Sequence, residues 1–305
     1  MNPAGRLDVA VIGAGRVGPV LGAALRAAGH RIVGVAATSR RNAERAEALL
    51  PDVAWIDPGE AFAADLVLLA VPDDVLAPLV RDLAGHVRAG QLVAHTSGLH
   101  GTAVLAPAAE RGALAMALHP AMTFTGTSLD IGRLLGAAVA VTVSPVLLPV
   151  ADALVREWGS TPVVVAEKDR ALYHAALAHG SNHLVTLVAQ ALDAARVVVG
   201  DAAPAVLRPL LVAALDNALT AGDEALTGPV ARGDVGTVAA HLRVLAERVP
   251  DGVDPGTAAT YARLGGVAVR RAQRSGRPPS TSAQALMQLF ENVVEPSEDP
   301  GEGTS

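Results

Sequence analysis

An apolar run that enters a glycine triplet constrains how this chain begins to fold. Val9-Ala10-Val11-Ile12 is followed at once by Gly13-Ala14-Gly15-Arg16-Val17-Gly18, with G-x-G-x-x-G spacing, and then by an alanine-rich helical pattern. Gly13 permits a tight turn. Gly15 lets the backbone approach a pyrophosphate, and Gly18 lets the helix pack close to the strand. The free N–H groups at the helix start favour phosphate. Arg16 and Val17 belong to the same cradle. The motif alone is weak evidence, but here it lies where it must, between a strand and a helix. We read it as a dinucleotide site; the plainer alternative is a structural glycine turn.

The second strand indicates which dinucleotide. NAD binders usually place an acid about 20 residues on, against the ribose 2′-hydroxyl. Here Arg31-Ile32-Val33-Gly34-Val35-Ala36-Ala37 leads into Thr38-Ser39-Arg40-Arg41, with no acid between Arg31 and Arg41. Two hydroxyls and two guanidiniums stand where a 2′-phosphate would sit, and arginine pairs bidentately with phosphate. Positive charge at a helix start opposes the helix dipole, so Arg40 and Arg41 suggest a purpose other than helix formation. The expectation is NADP(H). The chain carries 23 Arg against 1 Lys, so arginine abundance by itself signals nothing about phosphate.

Apolar, β-branched runs recur at Ile32–Ala36, Val53–Ile56, Leu66–Val71, Leu92–His95, Leu114–Leu118, Ala137–Val143 and Val163–Ala166. Helical patterns separate several of them, which predicts a doubly wound, mostly parallel α/β sheet, a Rossmann fold. After Ala166 the texture changes. Residues 167–199 hold no Pro and one interior Gly, and further helical stretches follow. We expect a Rossmann domain over 1–166, an all-α substrate and dimerisation domain over 167–276, and a largely disordered tail over 277–305 with one short docking helix near 283–294.

The net charge of −6 argues against a general nucleic-acid binder, and the absence of Cys excludes thiolate chemistry. The first strand starts too early to leave room for a signal peptide. Pro145 and Pro149 interrupt the apolar stretch 134–155, so it reads as strand, turn and helix rather than a membrane span. A soluble cytoplasmic protein is expected, with no membrane or nucleic-acid partner.

Ligands of open α/β sheets bind outside the carboxyl ends of the strands. Val71-Pro72 would lie along the cofactor. Asp73 and Asp74 after them read best as helix N-caps. The next strand ends in His95-Thr96-Ser97-Gly98, and the following one in His119-Pro120. Ser97 suits a substrate oxygen or is a turn serine supported by Gly98. His119 is a candidate acid or base, or else a structural histidine before a turn proline. His95 reads as a buried strand residue. On the long helix, His174, Ala178 and Ser181 share one face, with Asn182 at its flank. Gly180 inside that helix suggests close approach by a ligand. His179 and His183 form an i, i+4 pair without a third ligand, so no metal is expected. Arg232 could clamp a carboxylate, and Asp234 looks like an N-cap.

Together these motifs resemble the 6-phosphogluconate dehydrogenase-like superfamily. The likeness is greatest to its poorly characterised Rossmann-like proteins with a helical C-terminal domain of unknown function, and covers about residues 7–275. It rests on Gly13-x-Gly15-x-x-Gly18, His95-Thr96-Ser97-Gly98, His119-Pro120, Tyr173-His174-Ala175-Ala176 through Ser181-Asn182, and Gly228-Pro229-x-x-Arg232-Gly233-Asp234. The resemblance implies a Rossmann domain followed by a helical one, and domain pairing into homodimers. β-Hydroxyacid dehydrogenases of the superfamily place a catalytic Lys four residues before an Asn on the long helix. Asn182 matches that Asn, but position 178 is Ala. The only lysine, Lys168, lies about 21 Å away along a helix, so the Lys mechanism does not carry over. Prephenate dehydrogenases use a Ser at one strand end and a His-Pro pair about twenty residues later. Ser97 and His119-Pro120 are similar in type and spacing.

The expectation is an NADP(H)-dependent oxidoreductase moving hydride to or from a small carbonyl, hydroxy or imino acid. His119 would transfer the proton, and Ser97 would orient the reacting atom. His174 and Asn182 would close the site, and Gly98, Ser181 and Arg232 would bind substrate. The alternatives are a non-catalytic NADP(H) sensor and a deazaflavin-linked NADP reductase. A homodimer is expected because Leu172, Leu177, Leu184, Leu187, Val188 and Leu192 spread over more than one face of the long helix.

Overall fold

The computed structural model describes residues 5–37, 39–249 and 256–294, without the Arg40 side chain. It divides into two compact units, 1–180 and 181–305. In the first, seven strands form one sheet: β1 (Asp8–Ile12), β2 (Arg31–Ala36), β3 (Leu66–Leu69), β4 (Leu92–His95), β5 (Leu114–Pro120), β6 (Ala138–Val143) and β7 (Thr161–Val164). Their order is β2-β1-β3-β4-β5-β6-β7. All neighbours are parallel except β5 and β6, where His119 pairs with Ala140 and Leu118 with Val141. The carboxyl ends of β1, β3, β4 and β5 therefore share one edge.

Six helices accompany the sheet: α1 (Gly18–Ala27), α2 (Arg40–Leu49), α3 (Asp73–Leu83), α4 (Ala106–Ala109), α5 (Leu129–Leu134) and α6 (Leu148–Glu157). Successive strand residues serve opposite faces, as a period of two requires. Val9, Val11, Leu66 and Leu68 join one core with Leu21, Leu25 and Leu154. Ala10, Ile12, Val67 and Leu69 join the other with Leu76, Val80 and Leu105. Both faces are thus dry, which is why these strands read as unbroken apolar runs.

The expected strand at Val53–Ile56 does not form. Only an isolated bridge joins Trp55 to Val35, so this segment lies beside β2 without a ladder of its own. Asp73 and Asp74 are not N-caps either. They occupy the first turn of α3, while Pro72 holds the cap position without a side-chain bond. There the two carboxylates face the positive end of the helix dipole.

Helix α7 (Arg170–Val199) follows a short 3₁₀ turn at Glu167–Asp169 and runs through the division between the units. The second unit continues with α8 (Ala203–Ala221), α9 (Gly228–Arg232), α10 (Val235–Arg248), α11 (Thr257–Gln273) and α12 (Ser280–Val294). Its core unites Val238, Leu242, Ala262, Val269, Ala283, Leu286 and Phe290. Asp234 caps α10, accepting from the Thr237 amide at 3.0 Å. The short helix expected near 283–294 is α12, which starts three residues earlier at Ser280, and its buried Ala283, Leu286 and Phe290 dock it in this core. Residues 295–305, the rest of that expectation, lie outside the described residues.

Helices α7 and α8 are another matter. Val185 is 68% exposed, Leu210 65% and Leu219 79%. Among the described residues one stretch, Glu167–Arg232, is long and apolar enough by composition to cross a membrane, yet only 6% of its most apolar window is buried. Both helices leave large apolar side chains exposed.

Candidate functional site

The glycine turn stands at the carboxyl end of β1. Gly13 has φ +109°, and a Cβ there would lie 2.3 Å from the Ala70 carbonyl oxygen. A Cβ at Gly18 would lie 2.1 Å from the Gly13 carbonyl oxygen and 2.8 Å from Val11. Both positions are closed to any side chain. Gly15 differs, because a Cβ there would meet nothing within 4 Å. Its bare backbone faces open space beside the start of α1, whose N-cap residue Val17 offers no side-chain bond. A cradle with free amides and no side chain in the way fits a pyrophosphate.

At the end of β2, Ser39 caps α2, its hydroxyl accepting from the Asn42 amide at 3.4 Å. Arg41 is exposed. Thr38 and the Arg40 side chain lie outside the described residues. An open cavity of about 530 Å³ is lined by Ala37, Ser39, Trp55, Ile56, Asp57 and Glu60, among others. Sequence reasoning missed the two acids, because they enter through the chain's return beside β2 rather than through β2 itself. The bridge at Trp55 brings them there.

The strand ends β4 and β5 build a polar cluster. His95 is fully buried and both its ring nitrogens are engaged: Nε2–H donates to the Gly101 carbonyl at 2.8 Å, and Nδ1 accepts from the Ser97 amide at 3.1 Å. Burial, above all, pushes its pKa down to about 4. It is a neutral structural residue that shapes the turn. Ser97 is 5% exposed, and its hydroxyl accepts from the His100 amide at 3.0 Å. That hydroxyl supports the turn and retains one proton to donate.

His119 and His174 border Gly98, and Tyr173 contacts His119. A Cβ on Gly98 would lie 2.7 Å from His174 Cδ2 and 2.9 Å from His119 Nε2. The His119 and Tyr173 rings stand nearly perpendicular, at 86°, with Nδ1 3.0 Å from the phenol oxygen. The His119 and His174 ring centroids are 6.2 Å apart. Burial first, then the charges of Arg170 and His174, push the His119 pKa down to about 4, against the opposing pull of Asp73. His119 is therefore neutral at pH 7.

Arg170, at the start of α7, underlies this cluster and is 1% exposed. Its Nε donates to the Thr142 hydroxyl at 2.7 Å, and its terminal nitrogens donate to the carbonyls of Ser97, Ala117 and Ala140 at 3.3, 2.9 and 3.2 Å. One guanidinium thus ties together the turn after β4, β5, β6 and α7. Three residues earlier, the Glu167 carboxylate accepts from the amides of Thr102 and Ala103 at 2.7 and 3.2 Å. Sequence reasoning missed Arg170, Tyr173 and Glu167 as contributors. A signal existed: Arg170, Tyr173 and His174 are spaced i, i+3, i+4 and so share a helix face.

Ser181, Asn182 and Arg232 are exposed residues of the second unit. Gly180 has open space around its Cβ position.

A mostly parallel sheet with crossover helices and a glycine turn after its first strand defines a Rossmann-like fold. Family models place the chain further. A Rossmann-like domain matches residues 2–120, and a domain of unknown function, DUF2520, matches residues 137–267. The chain belongs to the proteins that join these two domains. No curated protein matches it by sequence. Solved structures do match in fold. A proposed NADP oxidoreductase from Bacteroides fragilis is 21% identical, with a TM-score of 0.71 over 86% of this chain and 98% of that one. An imine reductase from Myxococcus stipitatus in complex with NADP+ is 19% identical, with a TM-score of 0.65 over 93% and 99%. A pyrroline-5-carboxylate reductase from Coxiella burnetii is 17% identical, with a TM-score of 0.53 over 96% and 99%.

Proposed function

We propose that the protein is an NADP(H)-dependent oxidoreductase that transfers a hydride to or from a small carbonyl, hydroxy or imino acid. One observation carries the reading. Gly98, His119, Tyr173 and His174 converge at the same carboxyl edge of the sheet that holds the open glycine cradle. That edge is where a dinucleotide lies across a Rossmann sheet. Proteins of this fold that include an imine reductase in complex with NADP+ add weight.

Gly13, Gly15, Arg16, Val17 and Gly18 would hold the pyrophosphate, with Val71 and Pro72 alongside. Thr38, Ser39, Arg40 and Arg41 would receive the 2′-phosphate. The bound nicotinamide would supply or accept the hydride. His119 would exchange a proton with the reacting oxygen or nitrogen. Ser97 would orient that atom, while its turn, held by His95 and Arg170, keeps Gly98 close to His119. His174 would flank the substrate.

The exposed apolar faces of α7 and α8 support a homodimer built by the helical domain, because a helix apolar on most sides needs cover on most sides. A second copy of the chain provides that cover.

Direct titration tests the cofactor assignment. NADPH should bind at least about tenfold more tightly than NADH, a difference of about 1.4 kcal/mol. Arg41→Ala combined with Arg40→Ala should erode the preference. Equal affinities, or tighter NADH, would assign Asp57 and Glu60 to a ribose hydroxyl and sink the 2′-phosphate reading.

A further inference from the structure

The oxidoreductase reading leaves the direction of proton transfer open, and the pairing of His119 with Tyr173 bears on it. A neutral imidazole has one N–H and one lone pair, so what one nitrogen does fixes the other. Nδ1 of His119 lies 3.0 Å from the Tyr173 phenol oxygen, and among the described residues neither that oxygen nor Nε2 has another hydrogen-bond partner. A phenol is a good donor and a poor acceptor, because its oxygen lone pair is delocalised into the ring. The favourable arrangement therefore has Tyr173 O–H donating to Nδ1, which leaves the ring proton on Nε2. That nitrogen faces the Gly98 backbone, beside His174.

We propose that Tyr173 is a catalytic partner of His119 that holds it as an Nε2–H donor, so that the resting site is poised for reduction of a C=O or C=N bond. This rests on the oxidoreductase reading and gives it a direction. A bound reduced nicotinamide would supply the hydride that bonds to the substrate carbon, and the π pair would move onto oxygen or nitrogen. That atom takes the Nε2 proton of His119, and Nδ1 takes the phenol proton of Tyr173. The net acid consumed is the phenol, far stronger than a neutral imidazole N–H. The phenolate left behind lies near Arg170, whose charge favours it, and is reprotonated from water. Oxidation by the same path must start from phenolate, which burial disfavours.

The charges facing His119 come from several elements: Arg170 and His174 on α7, Asp73 on α3, and His95 on β4. Burial first, and then the Arg170 charge, keep His119 neutral, which the relay requires. A second His–Tyr pair, His241 with Tyr261 at 2.9 Å, occurs in the helical unit without such a cluster. The pair alone makes no site. The unpartnered Nε2 beside Gly98 and His174 is what distinguishes this one.

Long-range proton–nitrogen correlation spectra of the full-length protein, 15N-labelled at histidine, test the proposal without a substrate. The His119 signals are those lost in His119→Asn. At pH 7 they should show a neutral ring protonated at Nε2, and should stay so down to about pH 5. In Tyr173→Phe the Nδ1 resonance should shift downfield as its hydrogen bond is lost. A wild-type ring protonated at Nδ1, an imidazolium at pH 7, or an unmoved Nδ1 resonance in Tyr173→Phe would overturn the proposal. NADPH titrated into the same samples keeps the two ideas apart. Failure to bind it counts against the oxidoreductase reading, whereas binding with the Nδ1–H tautomer counts against the relay alone.

Discussion

The Arg170 clamp can be removed almost without changing side-chain volume. Arg170→Met keeps the aliphatic stem and deletes four hydrogen bonds, those to Thr142 Oγ1 and to the carbonyls of Ser97, Ala117 and Ala140. Each bond from a charged donor contributes about 1.5–3 kcal/mol, and each acceptor stranded in the dry interior costs about 1–3 kcal/mol. Against this stands the relief of no longer burying a guanidinium, itself several kcal/mol. The balance is a loss of roughly 3–5 kcal/mol, comparable to breaking other buried charged networks. For a unit of this size that lowers Tm by about 6–20 °C. Differential scanning calorimetry with urea titration at pH 7 measures it. Arg170→Lys keeps the charge but not the planar fork, and should recover only part of the loss. A Tm for Arg170→Met within about 2 °C of wild type would show that the carbonyls do not depend on the guanidinium, and the argument for a clamped site would fail.

Gly15→Ala should leave Tm nearly unchanged, because a Cβ there meets nothing, yet weaken NADPH binding about tenfold or more by intruding on the pyrophosphate; Gly18→Ala should instead destabilise the fold, since its Cβ would overlap the Gly13 carbonyl oxygen. Equal effects of the two on Tm would contradict the cradle geometry. Stability should fall as pH drops from about 6.5 to 4. His95 and His119 both titrate near 4 in the folded chain, so in that window the unfolded chain binds more protons and unfolding gains, by about 3 kcal/mol from the better-buried His95. Urea midpoints across pH 4–7 check the sign, and a flat profile would mean both rings are accessible. Sedimentation should find a homodimer at micromolar concentration with more than about 2,000 Å² buried, and Val185→Glu with Leu210→Glu should dissociate it; a wild-type monomer with intact cofactor binding would remove the dimer from the account.

The Rossmann half was legible in the sequence because its signals are local. A strand buried on both faces is a continuous apolar run, as at Leu66–Leu69, and a glycine turn declares itself by spacing. The second-strand region was legible only in part. Val53–Ile56 has the composition of a strand, but lacks the partner on its far side that would turn a single bridge into a ladder. The acids Asp57 and Glu60 were invisible for the same reason, since their place depends on how the chain returns beside β2. At the candidate site, Ser97, Gly98, His119 and His174 could be found from strand ends and helix spacing. Arg170 was masked: its i, i+3, i+4 spacing with Tyr173 and His174 was there to read, but a guanidinium beside Lys168 and Asp169 at a helix start looks like a solvated charge. Only the folded sheet shows three carbonyls converging on it.

The loop that follows β4 has a consequence for what the site can accept. The amides of Thr96, Ser97, His100, Thr102 and Ala103 are all taken, by Leu69, His95, Ser97 and, twice, Glu167. A loop whose donors are committed to its own scaffold has little entropy left to lose when a ligand arrives. It cannot mould itself around a guest, and it cannot swing as a lid without first breaking those bonds. A Cβ at Gly98 would already lie 2.7 Å from His174 and 2.9 Å from His119, so this wall has no slack to yield to even one more carbon. Loosening this wall would therefore start with Glu167, whose carboxylate holds the far end of the loop, and not with Gly98 itself.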